Sequence, residues 1–271
     1  MLAPFSFIGS SGAANTPRTQ AFLDATGITD QTIIDALNAM DDSLISAGFL
    51  PSGTGAGTLK ALYPNVGGTA TTHKFNFVNP ADTDAAFRVV FNGGWTHNSN
   101  GVTPNGTNGY ADTKLNDNST MILNNAHISI YSRTNSDGLF CDMGVTQNVP
   151  TTETNIFAKY SNVFYPRIQD SNSGVSNTIS SLGLFISNRV ASNQIRAFQN
   201  NVLKTISATS TGVKANRNFY LGALSSAASN ASLYSNRNYA FASIGDGLLD
   251  TEAANFYTAV QAFNTTLARQ V

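Results

Sequence analysis

The segment SLGLFISNRVASNQIRAFQNNVLKTIS, residues 181–207, reads as three short strands joined by two tight turns. Leu182 to Arg189 is an apolar run; Gln194 to Gln199 alternates Ile195, Ala197 with Arg196, Phe198; Val202 to Ile206 follows an Asn-Asn turn. Asn tolerates the left-handed backbone that tight turns demand. The same rhythm extends in both directions, with candidate strands at His73 to Val78, Ala86 to Phe91, His127 to Tyr131, Leu139 to Cys141, Val163 to Ile168, Phe219 to Gly222 and Ala240 to Ile244. Many short strands with no helical pattern between them predict a two-sheet jelly-roll sandwich rather than a parallel α/β sheet.

Helical periodicity is confined to the two ends. Thr16-Pro17 is an N-cap followed by proline at the first helical position, and Gly27 stops that helix. Asp30 to Ala47 carries Ile33, Ile34, Leu37, Met40, Leu44 and Ile45 on one face, with Gly48 as its stop. PSGTGAG at 51–57 has the composition of a flexible linker. Asp250 to Arg269 closes the chain as a helix with the stripe Phe256, Val260, Phe263, Leu267. The pattern divides the chain into an N-terminal arm and helical attachment segment, 1–57, and a jelly-roll domain, 58–271. An apolar helix face outside the sandwich needs cover, so Ile33, Leu37 and Leu44 are expected at contacts between subunits of a homo-oligomer, most simply a trimer. The apolar arm residues Leu2, Phe5, Phe7 and Ile8 are expected to dock onto another protein.

Composition narrows the chemistry. Fifteen Lys and Arg against 16 Asp and Glu leave a net charge of −1, which gives no pull toward nucleic acid. Charged residues make up only 11%, well below the roughly 25% of an ordinary soluble domain. The 31 asparagines match the charged residues in number and supply polar surface and turns instead. No apolar run approaches the roughly 18 residues of a membrane span, so no membrane insertion is expected. The first twenty residues lack a basic stretch ahead of a long apolar run, which points to assembly in a cytoplasm. Cys141 is the only cysteine, excluding an intrachain disulfide.

Candidate site residues are few. FNGGWTHNSNGVTPNGTNGY, residues 91–110, places Trp95, His97, Asn98 and Tyr110 on a glycine-rich stretch, where rings beside amide and imidazole groups suit stacking against a sugar. Packing of Trp95 into the core is the competing reading. Asp82 and Asp84 mark a turn or a weak calcium-like site, as does Asn116-Asp117-Asn118; no other cofactor is suggested. His73 and His127 read as strand-face residues, and the arginines of the SNR and ANR triplets (Arg189, Arg217, Arg237) as edge residues with local hydrogen bonds. Glu153 and Glu252, the only glutamates, lie 99 residues apart in sequence and have no carboxylate beside them on a strand, so no glycosidase carboxylate pair is expected.

Residues 181–207, NRNFYLGALS (216–225) and NYAFASIGDGLLDTEAANFYTAVQAF (238–263) resemble the central hairpins and closing strand-to-helix of concanavalin A-like lectin/glucanase, or laminin-G-like, domains. Residues 61–113 and SIYSRTN (129–135) are similar to modules of bacteriophage head and tail fibre proteins. The resemblance covers about residues 58–271. It implies a jelly roll and a virion fibre or accessory subunit, with other virion proteins as partners and host-surface glycan as a ligand. A purely structural decoration protein and a polysaccharide depolymerase are the alternatives it leaves. The Glu-x-Asp-x-x-Glu strand of the family's glucanases is missing here, so the chain is expected not to be an enzyme.

Overall fold

The computed structural model describes residues 14–171 and 176–271. In chain order the elements are helices α1 (Pro17–Thr26) and α2 (Gln31–Ser46), strand β1 (Leu59–Tyr63), the single turn α3 (Ala70–His73), strands β2 (Val90–Asn92), β3 (Trp95–Asn98), β4 (Gly101–Pro104) and β5 (Tyr110–Asn116), and the turn α4 (Asp117–Thr120). Strands β6 (Ala126–Ser132), β7 (Met143–Asn148), β8 (Thr151–Tyr160), β9 (Val163–Asp170), β10 (Ser176–Asn177), β11 (Gly183–Arg189), β12 (Gln194–Gln199) and β13 (Val202–Ser207) follow. The chain ends with β14 (Asn218–Leu221), β15 (Leu224–Ser226), β16 (Asn230–Ser232), β17 (Tyr239–Gly245) and helix α5 (Asp250–Thr266).

The strands form two stacked sheets, as a jelly-roll sandwich requires. One runs β13-β12-β11-β6-β17-β4-β3 with β1 also on β17; the other runs β10-β9-β8-β7-β14-β5-β2 with the β15–β16 hairpin on β7. Between them lies a core containing Leu115, Ile128, Ile130, Val145, Ile156, Phe164, Phe185, Phe219 and Ile244. A second core lies on the other face of the first sheet. There Tyr131, Leu184, Ile186 and Phe241 meet Phe22, Leu37, Met40, Leu44, Phe77, Phe256, Val260 and Phe263. The molecule therefore has three layers: helices, sheet, sheet.

This layering corrects the expectation for α2. Leu37 and Leu44 are fully buried within the chain, and Ile33 is half-buried against the same cluster. The apolar face is covered by the sandwich and by α5, so it is not left for a neighbouring subunit, and residue 57 does not separate two cores. The PSGTGAG stretch is likewise not a free linker. Arg18, itself fully buried and paired with Asp41, donates to the carbonyls of Pro51 (3.1 Å) and Gly55 (3.2 Å). The arm residues Leu2, Phe5, Phe7 and Ile8 lie outside the described residues.

Arg189 and Arg237 are corrected from edge residues to fully buried ones. Arg189 donates to the carbonyls of Ile168, Ala191 and Ala208 (2.7, 3.1 and 2.9 Å), tying three chain segments together. Arg237 holds both oxygens of buried Asp142 at 2.9 Å and the carbonyls of Ser136 and Lys159. A planar guanidinium with five donors can satisfy several buried carbonyls at once, which lysine cannot. Three segments depart from the expected strands: beyond His73, which ends α3, Asn76 replaces strand pairing by bonding through its side chain to Leu62 N, Val78 N and the Ala86 carbonyl; Ala86 to Phe91 is strand only from Val90; and Leu139 to Cys141 is loop before β7.

Candidate functional site

Of the residues expected around Trp95, the structure keeps His97 beside it, with ring centroids 6.4 Å apart, and sets Asn98 and Tyr110 apart from it. Trp95 is half-buried, donates Nε1–H to the Asn92 carbonyl (3.0 Å) and lies edge-on to Phe91. Its ring edge rests on Gly222, where an added Cβ would come within 2.9 Å of Cη2. Asn98 accepts from Asn100 N in the hairpin turn. Tyr110 stacks on Tyr220 with centroids 4.7 Å apart, on the outer face of the nine-stranded sheet, because along β5 Ala111, Thr113 and Leu115 take the inner face. Trp95, His97, Asn98 and Tyr110 therefore do not form one platform; Trp95 packs against the inter-sheet core, with His97 at its side.

His73 is neither on a strand nor isolated. It ends α3 and faces His97, with Nδ1 to Nδ1 2.9 Å. Gly68 N–H donates to His73 Nε2, so neutral His73 carries its proton on Nδ1, donates to His97, and leaves the His97 proton on Nε2. Burial lowers both values, His73 to about 3 with help from His97 and Arg269. A metal on the two Nδ1 atoms would move the His73 proton to Nε2, against the Gly68 N–H. His127, on β6, is fully buried; its Nδ1 meets the Asp246 carbonyl.

The calcium-like reading of Asp82 and Asp84 gives way to a surface ion-pair network: Lys74 and Arg88 bind Asp82, and Arg88 and Lys114 face Asp84. Asn116 caps α4, and Asp117 accepts from Ala215 N (2.7 Å). Among the described residues no group of three or more His, Cys, Asp or Glu is placed to hold a metal.

A different constellation stands on the outer face of the nine-stranded sheet. Along β8 the residues Thr152, Thr154, Ile156 and Ala158 alternate with Glu153, Asn155 and Phe157, and Ile156 and Ala158 take the inter-sheet core. On β9, Tyr165 and Arg167 share the outer face with Phe157 and Asn155, their register partners. Glu153 forms an ion pair with Arg167 and accepts from Asn155 Nδ2 at 2.9 Å. The Arg167 guanidinium lies 6.0 Å and 5.9 Å from the Phe157 and Tyr165 ring centres, and Tyr160 lies 6.1 Å from Tyr165. Glu153, Arg167 and the three rings, with Leu139, Leu224 and Leu233, line a hollow of about 220 Å³. Leu139 is 48% exposed and Tyr160 36%, so its apolar wall faces solvent. At the centre of the row Arg167, Asn155, Gly144, Tyr220, Asp112, a Cβ on Gly144 would come within 2.4 Å of Asn155 Cβ. Only glycine admits that close approach.

The sequence reading misses this site because it places no strand between Cys141 and Val163, where β8 runs. The available signal was the alternation in TTETNIFAKY and the aromatic and basic residues at 157, 160, 165 and 167. A larger hollow, about 620 Å³, lies between the α1–α2 turn, residues 66–68 and the end of α5. Ile33 lines it, but among the described residues Asp30 is its one ionisable group, so it offers less to a polar ligand.

No family model matches the chain, and no curated protein matches it. Solved structures with a similar arrangement include domain 4 of AbnA, a GH43 extracellular arabinanase from Geobacillus stearothermophilus in complex with arabinotriose, at 12% identity, TM-score 0.46, over 73% of this chain and 98% of that one. The Trypanosoma rangeli sialidase is similar at 10% identity, TM-score 0.47, over 84% and 38%, and the botulinum neurotoxin serotype G binding domain at 13%, TM-score 0.43, over 74% and 50%. This chain thus spans about two-fifths and half of the latter two. The expectation that the chain is not an enzyme is corrected here: it rests on Glu153 having no carboxylate beside it on a strand, and the sheet register sets Asp170 of β9 opposite Glu153.

Proposed function

We propose that this chain is a lectin-like module of a bacteriophage virion, a head or tail fibre or accessory subunit assembled in the host cytoplasm, which binds host-surface glycan on the outer face of its nine-stranded sheet. The observation that carries the binding role is the hollow in which the Tyr160, Tyr165 and Phe157 rings stand beside the Glu153–Arg167 pair. Ring faces accept the apolar C–H faces of a sugar, while fixed charged and amide groups bond its hydroxyls. The virion role is supported by the sequence resemblance over residues 58–271, and its contacts with other virion proteins are assigned to the arm. Glycan-array binding by the purified chain, together with electron microscopy of particles labelled with an antibody against it, tests both halves. Binding to host-surface polysaccharide and label at fibre tips support the reading; label on particles without any glycan binding leaves a structural decoration protein, and unlabelled particles remove the virion role.

A further inference from the structure

Resting on that glycan-binding reading, we propose that Glu153 makes the hollow selective for uncharged sugars and turns away carboxylated ones. Arg167 is the cation that lines the hollow, and Glu153 engages it directly from the neighbouring strand. Asn155 Nδ2 donates to the same carboxylate at 2.9 Å, fixing Glu153 toward Arg167. The cations nearby are committed too: Lys159 donates to the Ile179 carbonyl at 3.0 Å, and Arg237 is buried against Asp142. A uronic or sialic acid entering the hollow brings its anion up to the Glu153 carboxylate and must displace it from Arg167. Both side chains are mostly buried, 16% and 20% exposed, so water screens that repulsion poorly. An uncharged hexose meets no such opposition; it offers hydroxyl donors to a carboxylate, which only accepts, and a C–H face to Tyr160 and Tyr165.

Glu153→Gln keeps the side-chain shape and removes the negative charge that opposes an incoming acid, while the Arg167 guanidinium, whose planar fork suits a carboxylate, still lines the hollow. The test measures binding of matched hexose oligomers, one neutral and one oxidised to the carboxylate at C6, to the wild-type chain, to Glu153→Gln, and to the double variant Glu153→Gln/Arg167→Gln. The wild type is expected to bind the neutral oligomer at least tenfold more tightly than the carboxylated one. Glu153→Gln is expected to gain at least tenfold for the carboxylated oligomer, and the double variant, which removes the guanidinium as well, to lose that gain. The double variant keeps the test decisive if Glu153→Gln alone fails to fold, since it must then bind the neutral oligomer without gaining the acidic one. Equal wild-type binding of both oligomers, abolished by Tyr165→Ala, overturns the selectivity while leaving the glycan site standing. Binding of neither oligomer nor any array glycan overturns the selectivity and the glycan site together. A folded Glu153→Gln with no gain for the carboxylated oligomer overturns the selectivity.

Discussion

Acidification from pH 7 to pH 5 is expected to destabilise the fold by about 2–3 kcal/mol, the net of three buried groups titrating in opposite directions. Burial lowers His73 from 6.5 to about 3, with His97 and Arg269 adding to it, and lowers His127 from 6.5 to about 4, partly offset by the Asp246 carbonyl. Both folded values lie below the unfolded one, so the unfolded chain takes up these protons. The stability they represent is present above pH 6.5 and is lost as the pH falls toward the folded values. At about 1.4 kcal/mol per unit, each histidine costs roughly 2 kcal/mol by pH 5. Asp117 opposes them: burial raises it from 3.8 to about 6, so the folded state takes up its proton first and gains roughly 1 kcal/mol over the same interval. The histidines win. For a chain of this size the net corresponds to a fall in Tm of about 5–10 °C, read by thermal circular dichroism at the two pH values. His127→Gln is expected to remove about 2 kcal/mol of that pH dependence, whatever it costs at pH 7. A Tm that holds or rises between pH 7 and 5, or the same fall in His127→Gln and His73→Gln, refutes the reasoning.

Replacing both Leu37 and Leu44 by Ser is expected to cost more than about 4 kcal/mol and to unfold the chain rather than dissociate an oligomer; circular dichroism paired with light scattering distinguishes the two. Asp142→Asn leaves the buried Arg237 charge without its partner, with an expected loss of about 3–5 kcal/mol in denaturant unfolding. Trp95→Ala is expected to cost about 2 kcal/mol of stability through lost packing while leaving the glycan affinity of the folded fraction unchanged, as a titration corrected for folded protein would show.

The strands that the sequence reveals best are those with an apolar run or clean alternation. β12 is expected and found at Gln194–Gln199, and β6, β11, β13 and β17 differ from expectation by a residue or two at their ends. β8 escapes notice because its inward positions include Thr152 and Thr154, whose methyls pack while their hydroxyls read as polar. β1 is hidden in LKALYP for want of length. Periodicity shows that α2 has an apolar face but carries no information about what covers it; α5, over 200 residues later, does so. The same limit applies to the site. Trp95 and Tyr110 share a glycine-rich stretch, yet Tyr110 belongs to the outer face of one sheet and Trp95 to a strand of the other. Glu153 and Arg167 are 14 residues apart, and only the antiparallel pairing of β8 with β9 brings them into contact.

The central claim, that glycan is held in the hollow beside Glu153 and Arg167, is tested most directly by isothermal titration of an array-selected glycan into the wild-type chain and into Tyr165→Ala. Tyr165 is half-buried on the outer face of β9, so its loss removes a sugar-stacking ring without opening the inter-sheet core. The account predicts affinity weakened at least tenfold, about 1.4 kcal/mol, with cooperative unfolding retained. Undiminished affinity in Tyr165→Ala would contradict it.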